Sequence, residues 1–417
     1  MASSTRRRLT SSESYPASPT LMDQISENMS LLSLLDAVNE DLETHSPQIV
    51  HNLATTELEL HRMLSLRSQI STTSSDAQRH AAASDHEECY RKIGAGACGA
   101  IFGLDGKSIV YKLAKADEQS LWNDFQMHKL VAEKFCKWKY TDVKVPVCHY
   151  FVPKDEPLYF EQNPKLVEAA KEICNLPTSA LITERILPLP KPTRTLLIEK
   201  YCPPQTKQAA LSAVANKDCL VRIYLGSLKG RQGRFFSLRN FKLHLEQMVE
   251  LQLDVKEMAG KMATAMAIMH WAAKTDARDI EFVLGSSLKA AVEMSAEDAL
   301  SLPRPVYTGP PSRNHEDFFI RTIDLWLLDF NQVRPITMDE AGVAMAVEAI
   351  KLNDPYIPKP LQESEIQKQI WNEFVEQYLT SAHDILREEA NYLEIALLPT
   401  MFISGLIGLE RNKQEKK

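Results

Sequence analysis

Between Arg91 and Leu113 apolar and polar positions alternate in short runs broken by glycine, the period-2 pattern of paired strands. Asp105-Gly106 lies between two such runs and predicts a hairpin. A two-residue turn there pairs Leu104 with Lys107, Ile101 with Val110 and Gly99 with Lys112. Helical spacing follows over Asp117 to Phe135, with Asp117 as N-cap. Ala180 to Glu184 reads as a buried strand that runs into a proline-punctuated connector. Past residue 203 long helical patterns take over, at Lys242 to Trp271, Met338 to Lys351 and Glu363 to Ala396. A β-rich front followed by an α-rich back predicts an α+β fold in two lobes. The lobes span 86–190 and 191–417, and the second carries a proline-rich insertion at 285–321.

The first 85 residues have a different character. Residues 1–20 are rich in serine beside Arg6, Arg7 and Arg8, and read as disordered. Residues 21–70 place Leu31, Leu32, Leu35, Val38, Leu42, Leu58, Leu60 and Leu64 near helical spacing, and 71–84 is a polar linker. This extension is either a separable segment that binds a protein partner through 21–70, or a helical extension that packs on the body. Near the other end, Ile395 to Leu409 is apolar but contains Pro399. It falls short of the roughly 20 residues needed to span a bilayer, so it reads as a buried terminal helix and no membrane span is expected.

Composition narrows the class. Apolar residues at 44% and charged residues at 25% suit a globular protein with a sizeable core. A net charge of −7 argues against general nucleic-acid binding and leaves room only for a local basic groove. Seven cysteines, an odd number with no C-x-x-C pair, point to reduced thiols in an intracellular protein, cytoplasmic or nuclear. His86-x-x-Cys89 has no second pair at matching distance, so no zinc module is expected.

The candidate chemistry begins at Gly94-Ala95-Gly96-Ala97-Cys98-Gly99, a G-x-G-x-x-G loop that runs into a strand and not into a helix. Alternation along the hairpin puts Ile101, Val110 and Lys112 on the side of the loop, two apolar covers for a flat base and one cation for phosphates. This resembles the glycine loop and third-strand lysine of protein kinases. The resemblance implies a carboxylate partner for Lys112 on the following helix, Asp124 or alternatively Glu118, and an adenine-binding connector near Glu184 and Ile186. It also implies a catalytic Asp276 with Arg278 two positions on, and metal ligands at Glu281 and at Asp329 of Asp329-Phe330-Asn331. Lys274, Glu281 and Asn331 stand where kinases carry histidine, asparagine and glycine.

The body from Arg91 to Leu386 is also similar to a fungal family of uncharacterised kinase-like proteins, sometimes labelled zinc-finger-like. That likeness rests on Arg222-Ile223-Tyr224-Leu225-Gly226, His270-Trp271, Asp279 to Gly285, Leu328 to Gln332 and Asp354-Pro355-Tyr356. Together the resemblances imply a bilobal protein-kinase-like fold and an ATP- and Mg²⁺-dependent phosphotransferase. No A-P-E element follows Asp329, which favours a small-molecule acceptor over a protein. The alternative is an inactive nucleotide-binding scaffold that acts through its N-terminal helices.

Overall fold

The computed structural model describes residues 53–70, 90–96, 98–104, 107–115, 118–230, 236–288, 296–305 and 321–416. The fold is α+β, built on two small sheets. In chain order the strands are β1 (Gln69–Ile70), β2 (Arg91–Ala95), β3 (Gly99–Gly103), β4 (Ile109–Ala114), β5 (Val143–Lys144), β6 (Cys148–Val152), β7 (Ala180–Glu184), β8 (Val221–Tyr224), β9 (Phe241–His244), β10 (Glu281–Leu288) and β11 (Arg321–Leu328). The longer helices are α1 (Leu53–Leu64), α2 (Glu118–Lys137), α3 (Val255–Ala267), α4 (Glu340–Asn353), α5 (Glu365–Leu386) and α6 (Leu398–Glu415).

The first sheet runs β2-β3-β4-β7-β6, antiparallel throughout. Phe102, Tyr111, Leu113 and Ile182 bury one face, while Ala114, Leu121, Cys148 and Leu181 form a cluster under α2. Helix α2 turns Leu121, Asp124, His128, Val131 and Phe135 inward at three- and four-residue spacing, the stripe of a helix with one buried face. The β3–β4 register differs from the expected one. Ile101 pairs with Lys112 and Gly103 with Val110, two residues along from a two-residue turn. The strands part at Leu104, whose carbonyl accepts from Lys107 N, so the connection is longer; Asp105 and Gly106 lie outside the described residues. An even shift preserves parity, and Ile101, Val110 and Lys112 keep their common face.

The second sheet runs β1-β11-β10-β8-β9, and β5 shares with β1 the outer edge of β11. Strands β10 and β11 form an unbroken ladder from Glu281 opposite Leu328 to Leu288 opposite Arg321. The insertion expected at 285–321 is therefore shorter at both ends, because Gly285 to Leu288 and Arg321 belong to the ladder. The far end of the ladder sets Glu281 opposite Leu328, the residue before Asp329.

Two further expectations change. Residues 53–70 belong to the body: Leu60 and Leu64 are buried, His61 Nδ1 bonds the Leu251 carbonyl at 2.9 Å, and β1 extends the second sheet. The expected boundary at 85 thus has core on both sides of it; residues 21–52 and 71–89 lie outside the described residues. The single helix expected over Lys242 to Trp271 is also divided. Phe241 and Leu243 alternate into the sheet as β9, Gln252 takes φ 53°, and the Asp254 side chain accepts from Glu257 N to start α3 afresh.

At the C-terminal end, Tyr392–Glu415 is, among the described residues, the one stretch long and apolar enough by composition to cross a membrane. Here Leu398, Phe402, Ile403 and Leu406 are buried in the main core. Gly405 lets α6 approach α4, since a Cβ there would lie 2.5 Å from Val347.

Candidate functional site

A cavity of about 370 Å³ lies between the two sheets. Ile93, Gly94, Ala95, Gly96, Ile101 and Val110 line it from the first sheet, and Leu220, Arg222, Val283 and Leu328 from the second. Glu184 and Ile186 line it where the chain crosses between them. The Glu184 N–H is committed to the Val147 carbonyl at 2.7 Å, whereas the Ile186 backbone N–H makes no backbone bond among the described residues. Gly99 does not line the cavity. A Cβ there would sit 2.8 Å from the Leu113 carbonyl, so its smallness lets β3 approach β4. At the loop tip Gly96 N donates to the Gly99 carbonyl at 2.9 Å, so this N–H is already used within the loop.

Lys112 is the centre of the arrangement. Its Nζ lies 2.6 Å from Asp124 Oδ2 on α2 and 3.0 Å from Asp329 Oδ1 just after β11. Burial would push the ammonium down, but Asp124 and then Asp329 outweigh it and hold the group well above its ordinary range. Asp124 also accepts from Phe330 N at 3.2 Å, and Asn123 Nδ2 donates to the carbonyls of Asn331 (3.0 Å) and Val333 (2.9 Å). The α2 side chains therefore clamp the turn that presents Asp329. That turn is strained: Asp329 has φ 69°, a left-handed conformation that costs a non-glycine residue roughly 1 kcal/mol or more. His128, one turn beyond Asp124, donates from Nε2 to the Pro146 carbonyl and packs its ring 4.8 Å from Phe330.

On the opposite wall the structure corrects the expected catalytic aspartate. Asp276 is fully buried and does not line the cavity. Its carboxylate receives Arg334 Nε at 2.6 Å, Arg334 N at 2.9 Å and Arg278 N at 3.1 Å. It staples its own loop to the segment after β11, and Arg278 is likewise absent from the cavity lining. Asp279, three residues on, faces the cavity instead. Ala277 and Asp279 both take positive φ (50° and 61°), which turns the loop over and exchanges the two carboxylates. Asn353 fixes the turn, accepting from Asp279 N and donating to the Ala277 carbonyl, both at 2.6 Å. Gln332 Nε2 donates to Asp279 Oδ2 at 2.5 Å. Burial, then the charge of Asp329, raise the Asp279 carboxyl above its ordinary range.

Glu281 is paired with Arg222 at 2.7 Å. Burial pushes its carboxyl up to about 7 in spite of Arg222, with Asp329 and Asp279 adding to the rise. Of the expected residues, Gly94, Gly96, Ile101, Val110, Lys112, Asp124, Glu184, Ile186, Glu281 and Asp329 come together around one cavity. Asp279, Arg222, Arg239 and His128 had no expected chemical role. Asp279 and Arg222 stood within recognised motifs, but nothing in their spacing marks which carboxylate faces inward.

A family model described as a zinc finger protein matches residues 325–390. No curated protein and no solved structure matches the chain. The expected membership of a kinase-like family is thereby corrected: the match is to this other family, over far less than half of the chain, and no kinase family matches. Zinc does not fit the residues present. Residues 325–390 contain no cysteine and a single histidine, His383, where a zinc finger needs four such ligands. Among the described residues the one close trio of metal-ligating side chains is Cys98, Asp124 and Asp329, and the Lys112 ammonium already bonds both carboxylates.

Proposed function

We propose that the cavity binds a purine nucleoside triphosphate and that the protein transfers its terminal phosphoryl group to a small-molecule hydroxyl. The observation that carries this reading is Lys112, held on a cavity wall between carboxylates from two different elements and beneath a glycine loop. A lysine on the third strand of a small sheet, paired with a helix carboxylate and an Asp-Phe turn, is the phosphate-orienting arrangement of a bilobal kinase-like fold. Ile101 and Val110 above, with Leu220, Val283 and Leu328 below, supply a flat apolar slot for a base. The Ile186 N–H, which makes no backbone bond among the described residues, supplies a donor at its edge.

Asp329 and Glu281 offer hard oxygen donors that would hold Mg²⁺, and it would neutralise phosphate charge, once the nucleotide draws Lys112 and Arg222 away from them. Asp279 is the proton acceptor in this reading. The acceptor oxygen forms a bond to the γ-phosphorus as the β-oxygen bond breaks, nucleoside diphosphate leaves, and the hydroxyl proton passes to Asp279. Its raised affinity for a proton suits that role.

The Glu281–Arg222 ion pair favours a second reading, a nucleotide-binding scaffold without turnover, because it occupies a metal ligand. Calorimetric titration of ATP with and without Mg²⁺, followed by an assay for diphosphate release, separates the two. Nucleotide binding that strengthens with Mg²⁺, and release that falls 10²–10⁴-fold in Asp279→Asn, about what loss of a general base removes, is the expected result. Binding without release in the parent leaves the scaffold. A parent protein that binds no nucleotide defeats both.

A further inference from the structure

We infer that the phosphoryl acceptor is an acidic small molecule whose phosphate or carboxylate is held by Arg222 and Arg239, an inference that rests on the phosphotransferase reading. The sequence carries the first observation. Residues 229–242 contain Lys229, Arg231, Arg234, Arg239 and Lys242 and no acidic residue, in a chain whose net charge is −7. The fold directs part of this run to the cavity. Arg239 precedes β9, which lies parallel to β8 with Arg222 opposite Lys242, and both arginines line the cavity on the side of the second sheet. Lys112 lies on the facing sheet, so the nucleotide phosphates and a second anion have separate cations.

The second observation is how the arginines are held. Arg222 is anchored through one terminal nitrogen by Glu281, and Arg239 through one by Asp218 at 3.2 Å and the Lys92 carbonyl at 3.3 Å. The Nε–H of each is closed off from water and has no partner among the described residues. A guanidinium is a planar fork suited to carboxylate or phosphate, and burying one of its N–H groups unpaired is unfavourable. A ligand anion that draws the two forks toward the cavity relieves that deficit. It also sets the acceptor on the same side of the cavity as Asp279.

The full chain saturated with a non-hydrolysable ATP analogue and Mg²⁺ is titrated calorimetrically with inorganic phosphate and, separately, acetate. At least one of the two binds; which one assigns the acceptor to the phosphates or the carboxylates. Arg222→Gln and Arg239→Gln each weaken that anion by about tenfold or more, and Arg239→Lys weakens it less, since it keeps charge but loses the fork. Nucleotide affinity and melting temperature of Arg239→Gln stay near those of the parent, whereas Arg222→Gln also leaves Glu281 without its ion-pair partner and lowers the melting temperature. Unchanged anion affinity in both variants overturns the inference. So does a loss of nucleotide affinity instead in Arg239→Gln, which would give that arginine to the nucleotide. Tight binding of a single-stranded RNA that depends on Arg239 would overturn it in favour of a macromolecular polyanion. A parent that binds no nucleotide defeats the phosphotransferase reading alone, because the same anion titration without nucleotide still reads the arginines.

Discussion

Replacing Lys112 by methionine keeps the length of the side chain and removes its charge. Asp124 and Asp329, 5% and 29% exposed, then face each other with no cation between them. Removing one partner of a buried ion pair costs about 3–5 kcal/mol, most of it from the charge left behind. Asp329 keeps some contact with water, which places the expected loss at the lower end, about 3 kcal/mol. That is a large part of the ~5–15 kcal/mol that holds a typical protein folded. The loss also depends on pH in a definite direction. Without Lys112 one of the two carboxyls retains a proton in the folded chain, so its folded affinity for protons exceeds its unfolded one. Stability from such a group is present below the unfolded pKa and is lost as pH rises through the folded value. The deficit of Lys112→Met, read from urea unfolding, is therefore smaller near pH 5 than near pH 8. Adding Asp124→Asn to the variant recovers part of it at the higher pH. A deficit below about 1 kcal/mol, the scale of an exposed pair, with no change across that pH range, would show that the ammonium is not the keystone described here.

Gly99→Ala brings a Cβ to 2.8 Å from the Leu113 carbonyl and should cost about 1–3 kcal/mol, whereas Gly96→Ala, with open space around it, should leave the melting temperature unchanged. Because the Glu281 carboxyl is pushed up to about 7, its contribution is full below its unfolded pKa and is lost as pH rises through 7. Comparing pH–stability curves of the parent and Glu281→Gln should show a slope over roughly pH 4.5–7 that the variant lacks. A chain that starts at residue 71 loses Leu60, Leu64 and β1 from the body and should melt well below the full chain by circular dichroism; an equal melting temperature would refute the packing of α1.

The half of the site that depends on local periodicity was legible in the sequence. Strand alternation put Ile101, Val110 and Lys112 on one face; Asp124 was expected only through the kinase resemblance, with Glu118 as the alternative, and the structure sets it on the buried stripe of α2. An error of two residues in the hairpin did no harm, because only parity decides which face a strand residue takes. The other half depends on long-range contacts. Asp276 has the right spacing from Glu281 but is claimed by Arg334, 58 positions away. The exchange with Asp279 rests on two positive φ angles that residue type does not announce at Ala277. Helix and strand periods also compete where apolar residues are dense. Phe241 and Leu245 are spaced for either period, Leu243 fits only the strand, and pairing with β8 decides for the strand over Phe241–His244.

The β10–β11 ladder has an evolutionary consequence. Glu281 and Asp329 take their mutual position from the open end of the β10–β11 ladder, with its eight paired rungs between them and the connection from Leu288 to Arg321. Loop-closure entropy rises only slowly with length, about 0.6 kcal/mol for each doubling. That connection is thus free to lengthen, shorten or change its sequence while the carboxylates stay where they are. Relatives should diverge most there, and a peptide tag or sensor domain spliced into it should leave the cavity undisturbed.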